Sequence, residues 1–115
     1  MNDIQRVDAK ELVEVCSAIL AREGVPVADA DFVASTLVEA DLKGIHSHGI
    51  LRLKRYVREL RTRVTNPTPR IGVSEEGPAI ARVDGDGALG PLVGRFAMQT
   101  CIEKARQAGS ATVTA

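Results

Sequence analysis

Apolar side chains recur at helical spacing through the first half of the chain and in short strand-like runs after residue 70. Leu12, Val15, Cys16, Ile19 and Leu20 stand at i, i+3, i+4, i+7 and i+8, one continuous stripe of a helix over residues 8–23. Asp8 and Glu11 have the spacing of a capping box at its start, and Gly24 is a natural stop. Val25-Pro26 opens a second helix, with proline near the first turn. Phe32, Val33, Thr36, Leu37 and Ala40 form its expected buried face, and Gly44 ends it. A third helix is expected from about Ser47 to Arg61, burying Ile50, Leu53, Val57 and Leu60.

The pattern then changes. Asn66-Pro67-Thr68-Pro69 cannot continue a helix and reads as an extended linker. Short strands are expected at 70–73 and 79–83, separated by the turn-like Glu75-Glu76-Gly77-Pro78. A glycine-rich loop at 84–90 leads into a long helix marked by Leu92, Val93, Phe96, Ala97, Thr100, Cys101 and Ala105, closed by Gly109. Ala111–Ala115 begins another β-branched run. Strand, loop, helix and strand in that order resemble a crossover unit. The fold class is therefore α/β: three helices in segment 1–65, then the start of a sheet with its crossover helix in 66–115.

Composition narrows the class. With 115 residues, 44% hydrophobic and only 3% aromatic, the core must be aliphatic and alanine-rich, within one domain at most. No apolar run approaches membrane-spanning length, and the N-terminus lacks a signal-peptide core, so no membrane partner and a cytoplasmic location are expected. Cys16 and Cys101 each fall at an apolar helical position, as core thiols rather than a disulfide or metal pair; no metal site is expected. Net charge is zero but unevenly spread: residues 1–42 carry three bases and nine acids, residues 43–70 eight bases and one acid. A solvated basic face is the default reading of that second block.

Both histidines lie in Asp41-Leu42-Lys43-Gly44-Ile45-His46-Ser47-His48-Gly49-Ile50-Leu51-Arg52, with Tyr56 just beyond. Ser47 is expected to N-cap the third helix, its hydroxyl accepting from amides two or three residues on. His48 would then sit in the first turn beside unpaired N–H groups, with Arg52 four residues later on the same face. An imidazole and a guanidinium at a helix N-terminus would hold an anion such as a carboxylate, and the histidine could pass a proton to a neighbouring oxygen near neutral pH. The bland alternative is a plain cap followed by a polar first turn.

Gly85-x-Gly87-x-x-Gly90 fits the dinucleotide fingerprint, after a strand and before a helix. The acidic residue that would confirm it belongs at the end of the next strand, and Glu103 lies inside the helix instead. A structural turn is the preferred reading, so no cofactor-binding residue is expected in this chain.

The block from Asp41 to Tyr56 resembles the signature of the malate/L-lactate dehydrogenase family, whose members are unrelated to the Rossmann-type enzymes and include ureidoglycolate dehydrogenase, sulfolactate dehydrogenase, diketogulonate reductase and Δ1-piperideine-2-carboxylate reductase. Asn66-Pro67 and Val83–Gly90 resemble further blocks of that family in the same order. The resemblance runs from about Ala9 to Ala115 and corresponds to the N-terminal third of a family member. It implies that His48 donates a proton to the keto oxygen of a 2-oxo acid, that Ser47 assists it, and that Arg52 engages the substrate carboxylate. It also implies hydride transfer from NADH or NADPH and assembly as a homodimer or larger oligomer. The nicotinamide-binding domain, a second histidine and an aspartate of the relay would lie outside this chain; His46 takes no role. Two alternatives differ in kind. One is a nucleic-acid-binding module using the arginine-rich helix expected at 49–63, although no nucleic-acid partner is the favoured expectation. The other is a non-catalytic interaction fragment.

Overall fold

The structure, a computed structural model, describes residues 4–115. Helix α1 (Ala9–Arg22) is capped by Asp8, whose carboxylate accepts from the Glu11 amide at 3.0 Å. Helix α2 (Val27–Leu42) starts directly after Pro26, whose fixed φ suits the entry to a helix. Two 3₁₀ turns follow, His46–His48 and Ile50–Arg52, and only then helix α3 (Leu53–Arg61). Strands β1 (Gly72–Glu76) and β2 (Ile80–Asp84) form an antiparallel hairpin with an irregularity between Val73 and Glu75. Helix α4 (Gly90–Ala108) crosses over to β3 (Thr112–Thr114), which pairs parallel to β2. The sheet order is β1-β2-β3. This is the α/β arrangement expected, with the crossover unit in place.

The core sits where α2 meets its neighbours. Leu20, Val25, Ala30, Val33, Leu60, Leu89 and Leu92 form one buried cluster, with Phe32, Leu53, Tyr56 and Ile71 packed against it. Helix α2 buries Ala30, Val33, Ala34, Leu37 and Val38, a wider surface than its expected stripe, because α1 and α4 both pack against it. Arg95 of α4 completes that contact, lying 4.0 Å over the Phe32 ring with its guanidinium 3.3 Å from Asp29.

Several expectations need correcting. Val15 remains 56% exposed and Ile19 is exposed too, so the residues of α1 that become fully buried are Cys16, Ser17 and Leu20. Ser17 is buried because its hydroxyl hydrogen-bonds the Asp31 carboxylate. Strand β1 runs through Glu75 and Glu76, which were expected in the turn, because pairing with Ala81 and Arg82 keeps both residues extended. Helix α4 starts at Gly90, with Pro91 in its first turn where a missing N–H costs nothing. Cys101 is half-buried rather than core, its thiol 3.4 Å from the Ala111 carbonyl. The helix expected from Ser47 does not form as such; its α-helical part begins six residues later.

Candidate active site

The turns between α2 and α3 hold the expected site residues, and one carboxylate organises them. Asp41 lies at the end of α2, an unfavourable place for an acid near the negative end of the macrodipole. It is held there by contacts from ahead in the chain. Its Oδ2 accepts the Ile50 amide at 2.8 Å, and its Oδ1 accepts from His46 Nδ1 at 2.8 Å. Gly49 is buried against the carboxylate, and a Cβ there would collide with the Asp41 side chain. The Ile50 amide, with His46 second, holds the Asp41 carboxyl below the usual carboxylate range.

Ser47 is therefore not the cap. The Ile50 amide, three residues on, is the donor a capping serine would engage, and Asp41 already accepts from it. The Ser47 hydroxyl instead stands 2.9 Å from His48 Nδ1. Neither 3₁₀ turn has a side-chain cap from its own N-cap residue. Gly49 is extended between the turns, so His48 is not in the first turn of α3 and the expected same-face relation to Arg52 does not hold in its helical form.

Arg52 is nonetheless tied to the turn that carries His48. Arg52 Nε donates to the Ser47 carbonyl oxygen at 3.0 Å, which ties the guanidinium to the peptide carrying the serine and histidine. Among the described residues no protein acceptor engages the Arg52 Nη groups. His46, Ser47 and His48 are exposed and Arg52 is half-buried, so the imidazole and the guanidinium are both open to an incoming anion. An imidazole whose Nδ1 is engaged by a hydroxyl keeps Nε2 for proton exchange with a ligand.

Asp41 and His46 are the residues that sequence reasoning left without a role. An acid in the last turn of α2 was the available signal, because the helix dipole disfavours it there and a partner elsewhere must compensate.

The glycine loop is engaged by its own chain. Gly87 has φ of 71° and its carbonyl accepts the Asn66 amide at 2.8 Å. The Asp86 carboxylate accepts from the Arg70 amide at 2.8 Å and from Asn66 Nδ2 at 3.2 Å. At Gly85 a Cβ would come within 2.8 Å of Val93, so the glycine permits close packing of the loop on α4. An acidic side chain bonded into the loop and carbonyls turned to the 66–70 segment do not fit a pyrophosphate cradle.

The chain matches the sequence profile of the malate/L-lactate dehydrogenase family over residues 7–115. It belongs to that family. The malate dehydrogenase of Pyrococcus abyssi is 45% identical over 104 residues, which cover 90% of this chain and 29% of that protein. The L-sulfolactate dehydrogenase of Methanocaldococcus jannaschii is 44% identical over 95 residues, 83% of this chain and 28% of the relative. The fold agrees: the structure of malate dehydrogenase from Pyrococcus horikoshii OT3 superposes with a TM-score of 0.91 at 43% identity, covering 95% of this chain and 31% of that one. The chain thus spans about 30% of the length of the relatives it matches. Membership of the malate/L-lactate dehydrogenase family gives no support to the nucleic-acid alternative. Two of the arginines invoked for it are also engaged: Arg61 lies 2.8 Å from Glu23, and Arg55 2.6 Å from Glu59. Among the described residues no helix is long and apolar enough to cross a membrane.

Proposed function

We propose that this chain carries the proton-donating and carboxylate-binding part of an oxidoreductase that interconverts a small 2-oxo acid, or the related imine, and its 2-hydroxy acid or amine. The observation that carries the reading is the cluster of Ser47, His48 and Arg52 on two consecutive turns, in a member of a dehydrogenase family. His48 Nε2 donates to the keto oxygen as charge develops there. Ser47 holds Nδ1 and keeps the ring oriented. Arg52 receives the substrate carboxylate on its Nη groups while Nε anchors the side chain to the Ser47 carbonyl. A nicotinamide cofactor, NAD or NADP, supplies or accepts the hydride in such enzymes. The loop at 84–90 is bound to residues 66–70 and offers that cofactor no pyrophosphate cradle. Homodimeric assembly belongs to the same proposal, as does a cytoplasmic location.

The test uses the polypeptide expressed from its complete reading frame, assayed with NADH and NADPH against a panel of 2-oxo acids. His48→Asn is expected to cut turnover by roughly 10²–10⁴-fold, the span of a positioned general acid. Arg52→Lys keeps the charge and loses the planar fork, so it should raise KM more than it lowers kcat, by about 1–3 kcal/mol in binding. Near-wild-type turnover in His48→Asn would sink the mechanism.

A further inference from the structure

Asp41 performs the capping task that its position in the chain would assign to Ser47. The Ile50 amide is three residues beyond Ser47, the spacing at which a serine hydroxyl closes a helix or turn entrance. Here that amide goes to Asp41 Oδ2, nine residues back, and the Ser47 hydroxyl is left for His48 Nδ1. A hydroxyl that capped Ile50 would aim its oxygen lone pairs at the backbone and lose its geometry toward the imidazole.

Two further contacts fix the carboxylate in this role. His46 Nδ1 must carry its proton to donate to Asp41 Oδ1, so the His46–Asp41 bond spans the first turn from its start. Gly49 gives the carboxylate its seat, since any side chain there would occupy the space of Asp41. One carboxylate thus binds the start of the first turn, the residue between the turns and the start of the second.

We propose that Asp41 is a positioning residue of the catalytic turn: by capping Ile50 and holding His46 it releases the Ser47 hydroxyl to orient the His48 imidazole. The inference rests on the proposed role of His48, and it deepens that role by naming what sets the histidine's partner. Asp41 has both carboxylate oxygens taken, one by the Ile50 amide and one by His46. Its effect passes through Ser47, so the two residues act as a unit and their substitutions do not add.

The experiment is a cycle of Asp41→Asn, Ser47→Ala and the double variant in the polypeptide from its complete reading frame, read in two ways. The first is the ring-nitrogen NMR signal of His48 in 15N-histidine-labelled protein, assigned by its loss in His48→Asn. The second is kcat and KM with a 2-oxo acid, beside a thermal melt. Asparagine fills the space of the carboxylate but has one oxygen to accept with, so it cannot serve Ile50 and His46 as two acceptors do. Both single variants should move the His48 ring-nitrogen shifts in the same direction and lower kcat at least about tenfold, in keeping with a disturbed general acid. The double variant should fall within about twofold of either single one, the mark of coupled residues. Gly49→Ala provides a second route should Asp41→Asn fold poorly. It displaces the same carboxylate from the opposite side and should produce the same His48 shift. Full additivity of the two losses, or His48 signals unchanged in both Asp41→Asn and Gly49→Ala, overturns the inference. A coupled shift at His48 with turnover unchanged in His48→Asn instead leaves the clamp standing and removes the proposed function.

Discussion

Cys16 and Cys101 show how far one residue's environment can depart from its sequence position. Both stand at apolar helical positions, yet Cys16 is 2% exposed while Cys101 is half-buried near the end of α4. Burial pushes the Cys16 thiol up, and the nearby negative charge of Asp41 raises it further. The thiolate is the reactive form, so Cys16 is doubly protected at neutral pH. In native protein at pH 7.5, about one of the two thiols in each chain should react readily with a maleimide, in line with the accessibility and thiolate control of cysteine reactivity. Peptide mapping should place the label on Cys101, with Cys16 labelled only after denaturant is added. Rapid native labelling of Cys16 would contradict its burial. Ser47, His48 and Arg52 were recognisable as candidate chemistry from their residue types, whereas Asp41 was not, because its partners at Ile50 and Gly49 obey no helical or strand period.

Among the elements, the connection from α2 to α3 and the loop before α4 were the hardest to read. A run of apolar residues at helical spacing, Ile50, Leu53, Val57 and Leu60, suggested one helix from Ser47 onward. Gly49 interrupts it: φ of −88° and ψ of −151° there are extended, and the chain enters α3 only after a second 3₁₀ turn. The loop at 84–90 presents the reverse case, in which a letter-for-letter fingerprint is spent on a turn bound to residues 66–70. Gly87 has positive φ, where an alanine is strained. Gly87→Ala should therefore lower unfolding free energy by about 1 kcal/mol or more. Urea unfolding of the variant, made in the polypeptide from its complete reading frame, measures this, and nicotinamide binding by the surviving folded protein should barely change. A large loss of NADH affinity at unchanged stability would restore the fingerprint's phosphate-binding meaning.

At the scale of the whole molecule, the chain is extended. Its radius of gyration is 16.2 Å over principal extents of 55 × 30 × 22 Å, against about 13 Å for a compact domain of this length. The sheet is covered by α4 on the side of Ala81 and Val83, while Ile80 and Arg82 point away from it and are exposed. Among the described residues strand β3 pairs with β2 alone and its other edge is open. Val15, Leu42, Leu51, Val64 and Ile80 add apolar surface on several sides. Expressed as an isolated 115-residue polypeptide, the chain should self-associate, with a melting temperature that depends on protein concentration. Sedimentation and scanning calorimetry across a hundredfold range of concentration test this. A monodisperse monomer with a concentration-independent melt would show that these surfaces are tolerated.

The amino-acid sequence by itself determined the order of the α-helices and strands, since most rest on local causes: the Asp8 cap, the stripe through Leu20, the entry at Pro26, the breaks at Pro67 and Pro69, and Gly109 in its left-handed conformation at the end of α4. It also singled out the three polar side chains of the candidate site, because few residue types perform acid–base chemistry or grip a carboxylate. Tertiary structure decided which positions are buried, leaving Val15 exposed and Ser17 covered, because burial depends on what packs alongside and not on spacing within one helix. It decided the loop at Gly85–Gly90, whose polar groups are satisfied by a segment some twenty residues upstream. And it decided the partner of Ser47: a hydroxyl can accept from the amide three residues ahead or turn to the neighbouring imidazole, and only the arrival of Asp41 at that amide settles the choice.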